Sequence, residues 1–249
     1  MNASPDAVWR VAALTMMPPA VLRDLLARQD AAVWVEAAAA CGLSEALVRQ
    51  GRMLLSGEGA AKNPHAAFAC FSRAAEAGDA DARNMLGRCH EHGWGTRADP
   101  ARAAHCYRQA GEAGHAWAQY NLGHLLLDGN GVRCDRDAAF AWYGRAAAQG
   151  HARAMNLVGR CHEEGWGTAR DAAAARAWYR RAAEGGYFRG AYNYASILAQ
   201  EGCIPGAVFW FARALDAPEP TRGHILGALA RHENPRIRGL ALSKPPTIA

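Results

Sequence analysis

Gly42, Gly78, Gly114, Gly150 and Gly186 recur at a spacing of 36 residues, and Gly51, Gly87, Gly123 and Gly159 keep the same interval. A constant interval of this length marks a stack of like two-helix units, each burying its apolar face against its neighbours, rather than one closed core. With 51% hydrophobic and 20% charged residues the chain has the composition of a folded protein, and it holds no run of 18 apolar residues to cross a bilayer.

Overlaying the chain on itself shows how each unit is made. Ala46, Ala82, Ala118, Ala154 and Gly190 share one slot, and Leu86, Leu122 and Val158 follow four residues later, just ahead of the recurrent glycine. These form one face of a first helix, A. A mid-helix glycine costs about 1 kcal/mol in propensity, so its recurrence predicts a point where a neighbour comes too close for a side chain. Helix A ends in a Gly-x-Gly loop at Gly57 and Gly59, Gly93 and Gly95, Gly129 and Gly131, and Gly165 and Gly167, where the first glycine suits a left-handed C-terminal cap. Four residues later stand Asn63, Asp99, Asp135 and Asp171, predicted N-caps of a second helix, B, with Pro64 and Pro100 at its first position. Helix B carries Ala67, Ala103, Ala139 and Ala175, then an aromatic pair such as Trp142-Tyr143 or Trp178-Tyr179, and closes at the Gly78 series. The helical spacing of these aromatics assigns them to the core.

The ends depart from the pattern. Trp34, Ala38 and Gly42 occupy helix-B slots, so residues 1–42 read as an N-terminal helical cap and half repeat. Residues 43–217 hold four full units and a shortened fifth, in which Trp210-Phe211 follows Trp178-Tyr179 by 32 residues. Residues 218–232 read as a C-terminal capping helix and 233–249, with three prolines, as a flexible tail.

From Ala116 to Gly150 the unit reads A-W-A-Q-Y-N-L-G-H-L-L-L-D-G-N-G-V-R-C-D-R-D-A-A-F-A-W-Y-G-R-A-A-A-Q-G. This closely resembles the Sel1-like repeat, with its A-x-x-x-L-G, G-x-G-V-x-x-D, W-Y and A-A-x-x-G elements. The resemblance implies an all-α, right-handed α/α superhelical solenoid similar to tetratricopeptide arrays, an adaptor or scaffold role, and no catalytic residue. Cys89-His90 and Cys161-His162 stand where the family often has Tyr or Leu. The thiols of the family's cysteine-rich secreted branch fall at slots held here by Arg83, Gln119 and Met155, so that disulfide pattern is absent.

Several function classes are disfavoured. The net charge of +5 is carried by arginines scattered among acids, with no basic run of five, which leaves no footprint for nucleic acid. An odd count of seven cysteines, and a start whose apolar stretch is broken by Pro18 and Pro19, predict reduced thiols in a cytoplasmic protein. No membrane contact and no small-molecule substrate are expected. The Gly-Trp-Gly-Thr loops lack the strand, third glycine and lysine of nucleotide cradles, and no Ser-His-Asp or Cys-His-Asn set can be assembled, so no catalytic residues are expected. Cys89 and His92 lie on neighbouring turns and are a candidate metal pair with a histidine such as His124, yet Leu125 fills the Cys89 slot in the next unit. The expected arrangement is a buried thiol beside an interfacial histidine, with no metal or cofactor. A metal- or redox-responsive sensor using Cys89, His92 and Cys161 is the alternative, and an accessory subunit of an enzyme a third reading.

Binding is better motivated. In arrays of this family type the A helices line a concave face, whose outward slots here are Asn84 and Arg88, Tyr120 and His124, Asn156 and Arg160, and Tyr192. Rigid polar and aromatic groups so spaced suit an extended peptide or a partner helix. Trp94 and Trp166 stand between loop glycines where other units have Glu58 and Asn130, and are expected to be partly exposed as a second contact edge.

Overall fold

The computed structural model describes residues 13–14, 17–28 and 32–242; the remainder of the expected N-terminal cap and residues 243–249 of the expected tail lie outside the described residues. Among the described residues the regular elements are all helices, as the 36-residue interval predicts. They fall into two compact units that divide after Cys134.

The first unit contains α1 (Pro19–Ala27), α2 (Ala32–Ala40), α3 (Ser44–Ser56), α4 (Pro64–Glu76), α5 (Ala80–His92), α6 (Pro100–Glu112) and α7 (Ala116–Asp128). The second contains α8 (Arg136–Ala148), α9 (Ala152–Glu164), α10 (Ala172–Glu184), α11 (Phe188–Gln200), α12 (Ile204–Ala214), α13 (Thr221–Ala230) and α14 (Pro235–Leu242). Helices α3, α5, α7, α9 and α11 are of type A, and α2, α4, α6, α8, α10 and α12 of type B.

Asx residues start four of the B helices, α4, α6, α8 and α10. The side chains of Asn63, Asp99, Asp135 and Asp171 accept from the backbone N–H three residues on, at 2.9–3.0 Å. Each such cap is worth about 1 kcal/mol. Three of the A helices, α5, α7 and α9, are capped on the same interval by residues outside that Asx pattern. Asp79 accepts from Ala82 at 2.8 Å, while the Nδ1 atoms of His115 and His151 accept from Ala118 and Ala154 at 3.1 Å. A histidine in this role has Nδ1 unprotonated.

The mid-helix glycines meet the close neighbour that their recurrence predicts, and it is the helix-B aromatic of the same repeat. A Cβ on Gly87 would lie 2.5 Å from the ring of Tyr107. The pairs Gly51 with Phe71 and Gly159 with Tyr179 repeat this contact, and all three rings are essentially inaccessible. The second loop glycine has a different task. Gly95 sits at φ +70° with its missing Cβ 2.0 Å from the Pro64 carbonyl oxygen, so the loop after one A helix lies on the first turn of the preceding B helix. Gly131 over Pro100 and Gly167 over Arg136 do the same.

At the C-terminal end α11 and α12 form the shortened fifth pair, and Ile225 of α13 joins its core beside Tyr194 and Phe211. Part of the segment expected as a flexible tail is instead ordered and docked. Pro235–Leu242 is helical, with Ile237 wholly buried in the same cluster. One apolar anchor with a proline at the helix start is enough to dock a short helix that composition reads as tail.

Candidate functional site

Arg88 projects from the last turns of α5 toward the loop that follows. Its guanidinium carbon lies 4.9 Å from the Trp94 ring centroid. Trp94 is fixed by the helix end, its backbone N–H donating to the Cys89 carbonyl at 3.0 Å after left-handed Gly93, and its indole is half-buried. The His92 ring stands 4.8 Å from the same indole. The second unit repeats this arrangement, with Arg160 4.8 Å from the half-buried Trp166, whose backbone N–H donates to the Cys161 carbonyl. A stack of this kind at a half-exposed site contributes about 0.5–1 kcal/mol and fixes the direction of the cation.

Two of the expected binding residues belong to the interior. Asn84 is only 5% and Asn156 6% exposed. Their side-chain oxygens accept from Asn121 Nδ2 at 3.1 Å and from Asn193 Nδ2 at 3.0 Å, each pair joining one A helix to the next. Adjacent A helices cover this slot, so it serves stacking rather than a partner. Tyr120 and His124 do share a surface, their rings meeting edge to face at 4.6 Å, with the 45%-exposed Trp117 beside Tyr120 at 5.9 Å. Burial holds the His124 imidazole below its ordinary pKa. Tyr192 is half-buried against Phe211 at 5.4 Å and contributes partly to packing. Of the helix-B tryptophans read as core, Trp142 is buried and Trp178 half-buried, with the Arg181 guanidinium 4.1 Å from its centroid.

The cysteine and histidine cluster comes apart in space. Cys89 and Cys161 are 0% and 1% exposed, and burial pushes both thiols up to about 11, leaving little reactive thiolate. His92 is exposed, while His90 lies edge-on to Phe68 at 5.5 Å. Among the described residues no three of His, Cys, Asp or Glu are grouped to hold a metal ion, and all seven cysteines are free thiols. Next to each buried thiol a helix-B phenol reaches the A helix: Tyr107 donates to Glu91 at 2.6 Å, and Tyr179 to Glu163.

One feature escapes the sequence reading. Beside Trp94 the surface of the first unit opens into a pocket of about 460 Å³. Leu55, Met85 and Trp94 supply apolar walls, and Arg52, Lys62 and Arg88 supply charge. Lys62 sits in a loop slot held by Ala98 and Cys134 in the next two repeats and by Arg170 in the fourth, so the 36-residue interval does not single it out.

A family model of the Sel1 repeat matches residues 44–79, 80–115, 118–151 and 152–187. In fold the chain is similar to a Sel1 repeat protein from Oxalobacter formigenes, at 27% identity and TM-score 0.70, over 82% of each chain. It is also similar to c5321, a protective antigen of uropathogenic Escherichia coli with an SLR fold, at 21% identity and TM-score 0.69. That match covers 86% of this chain but only 49% of c5321, so the chain spans about half of that protein's length. The immunity protein Pa5087 from Pseudomonas aeruginosa shares the fold more distantly, at 18% identity and TM-score 0.53 over 80% of this chain and 75% of that one. Among curated proteins none matches the chain in sequence. Four family matches set end to end, on helix pairs whose glycines, caps and buried aromatics recur in register, establish that the chain belongs to the Sel1 repeat family.

Proposed function

We propose that this protein is a non-catalytic adaptor that holds a protein or peptide partner against the C-terminal ends of its A helices and the loops that follow them. Sel1 repeat proteins are generally protein-interaction scaffolds. The observation that carries the reading here is the repeated stack of Arg88 on Trp94 and Arg160 on Trp166. Each stack presents a half-buried aromatic and an oriented cation, the residue types that anchor interfaces, at low entropic cost to a partner. Tyr120 and His124 add a second aromatic surface in the first unit. The buried, high-pKa thiols favour this reading over a redox sensor, and the free cysteines go with a cytoplasmic setting. No helix among the described residues is long and apolar enough to cross a membrane.

The test is the double variant Arg88→Glu with Arg160→Glu. Partner capture from a lysate of the native organism is expected to drop at least tenfold, while the melting temperature falls by only a few degrees, because partly exposed charges add little to folding. Undiminished capture by a folded double variant sinks the assignment.

A further inference from the structure

We infer that the pocket beside Trp94 is a receptor for an acidic peptide segment, one carboxylate side chain seated next to an apolar side chain. This deepens the adaptor reading and rests on it. Three observations lead there. Arg52, Lys62 and Arg88 all line the pocket, and no carboxylate among the described residues does. Arg52 is partly neutralised by Asp81 at 2.6 Å, which leaves Lys62 and Arg88 to act on a ligand. Arg88 is held by uncharged groups, the Trp94 indole at 4.9 Å and the Met85 sulfur 4.0 Å from a guanidinium nitrogen. Its direction is therefore fixed in advance while no ion pair engages its charge among the described residues, and a bidentate carboxylate completes it.

The walls narrow the ligand further. Leu55, Met85 and Trp94 offer an apolar surface with a flexible thioether, suited to an aliphatic side chain beside the acid. A volume of about 460 Å³ takes two side chains, not a folded domain. Nucleic acid is a poorer fit, because it requires a stripe of cations along a backbone rather than three around a greasy hollow. Lys62 lends weight to a built site, since in this arginine-rich chain the only other lysine is Lys244.

The test uses the full chain labelled with nitrogen-15 and follows the Trp94 indole N–H, identified by its loss in Trp94→Phe. The probe is the peptide acetyl-Gly-Glu-Leu-Glu-Gly-amide, and its control is the same peptide with both Glu replaced by Gln. The acidic peptide is expected to shift the Trp94 signal saturably, the Gln peptide to bind at least tenfold more weakly, and Lys62→Glu to weaken the acidic peptide at least tenfold. Arg213→Glu, an equal charge change at an exposed position of α12, is expected to alter it less than twofold. Equal binding of both peptides overturns the inference, as does equal loss in Lys62→Glu and Arg213→Glu. Tighter binding of an oligo-dT ten-mer than of the peptide at the Trp94 signal also overturns it in favour of phosphate. If no peptide shifts Trp94 while the Arg88→Glu, Arg160→Glu variant still loses its partner, the pocket assignment fails and the adaptor reading stands.

Discussion

The two units carry the same repeat chemistry 72 residues apart, alike in their buried contacts and different where helix A meets solvent, at its first turn and at its rim. In the first the helix-A end reads Cys89-His90-Glu91-His92-Gly93-Trp94, and in the second Cys161-His162-Glu163-Glu164-Gly165-Trp166. Inside, each has a buried thiol, a Tyr-to-Glu hydrogen bond, a histidine edge-on to a phenylalanine at 5.4–5.5 Å and an asparagine pair. Outside, His92 beside the indole is replaced by Glu164, and Ala98 by Arg170, which donates to the Glu164 carbonyl at 3.2 Å. Arg88 is half-buried, whereas Arg160 is exposed. The intervening repeat has Leu125, Leu127 and Asn130 at the thiol, carboxylate and tryptophan slots. Packing therefore repeats every unit, side-chain chemistry every second unit, and the rim is where the copies have diverged toward different electrostatics.

The largest expected effects lie in the interior that the two units have in common. Gly95→Ala and Gly167→Ala place a Cβ about 2 Å from a backbone oxygen at positive φ, and each is expected to cost about 3 kcal/mol or more, a melting shift on the order of 10 °C. Tolerance of one and not the other would show that the two loops are seated differently. Next come Asn121→Leu and Asn193→Leu, each leaving a buried amide oxygen unpaired at about 1–3 kcal/mol. Asn84→Leu with Asn121→Leu is expected to cost less than Asn121→Leu alone, by urea titration, because no polar group is then stranded.

Smaller effects sharpen the contrast. Glu91→Gln and Glu163→Gln each weaken one phenol hydrogen bond and are expected to cost about 0.5–1.5 kcal/mol, alike in both units by thermal melting. The smallest effect separates the units by pH. Asp81 is held below the ordinary carboxylate range by its hydrogen bond from His115 and by Arg52, and its slot in the second unit is Arg153. A depressed folded pKa gives stability that is complete above about pH 4 and lost as pH falls through the folded value, so Asp81→Asn should flatten the acid limb there. Burial lowers the His90 pKa, so the unfolded chain takes up that proton first and stability declines as pH drops below about 6.5. His90→Phe should remove this earlier decline while leaving the Asp81 limb, as followed by circular dichroism from pH 8 to 3.

Much of the fold is legible in the sequence because each unit restates it. The Asx caps, the Gly-x-Gly loops and the tight spot at Gly87 are each visible several times over. What stays hidden depends on neighbours that a single helix does not announce. Asn84 and Asn156 read as outward because a helical wheel cannot say which flank the next A helix covers. The histidine caps escape because imidazole is a rare cap, although His115 and His151 keep the interval of Asp79. Arg88 and Trp94 are separable in sequence and meet only because left-handed Gly93 folds the indole back beside the helix. Lys62 is visible only as an exception to the arginine bias, and α14 only through Ile237.

The seating of each loop glycine on the preceding B helix also gives the chain a direction in time. The first turn of α4 is covered by Gly95, which is synthesised a full helix pair later, and that of α6 by Gly131. On the ribosome, then, a repeat whose own residues have all emerged still has an open lid until its successor arrives. Until Gly167 has emerged the growing chain carries one unfinished repeat at its growing end, and a premature stop before that point exposes the same surface.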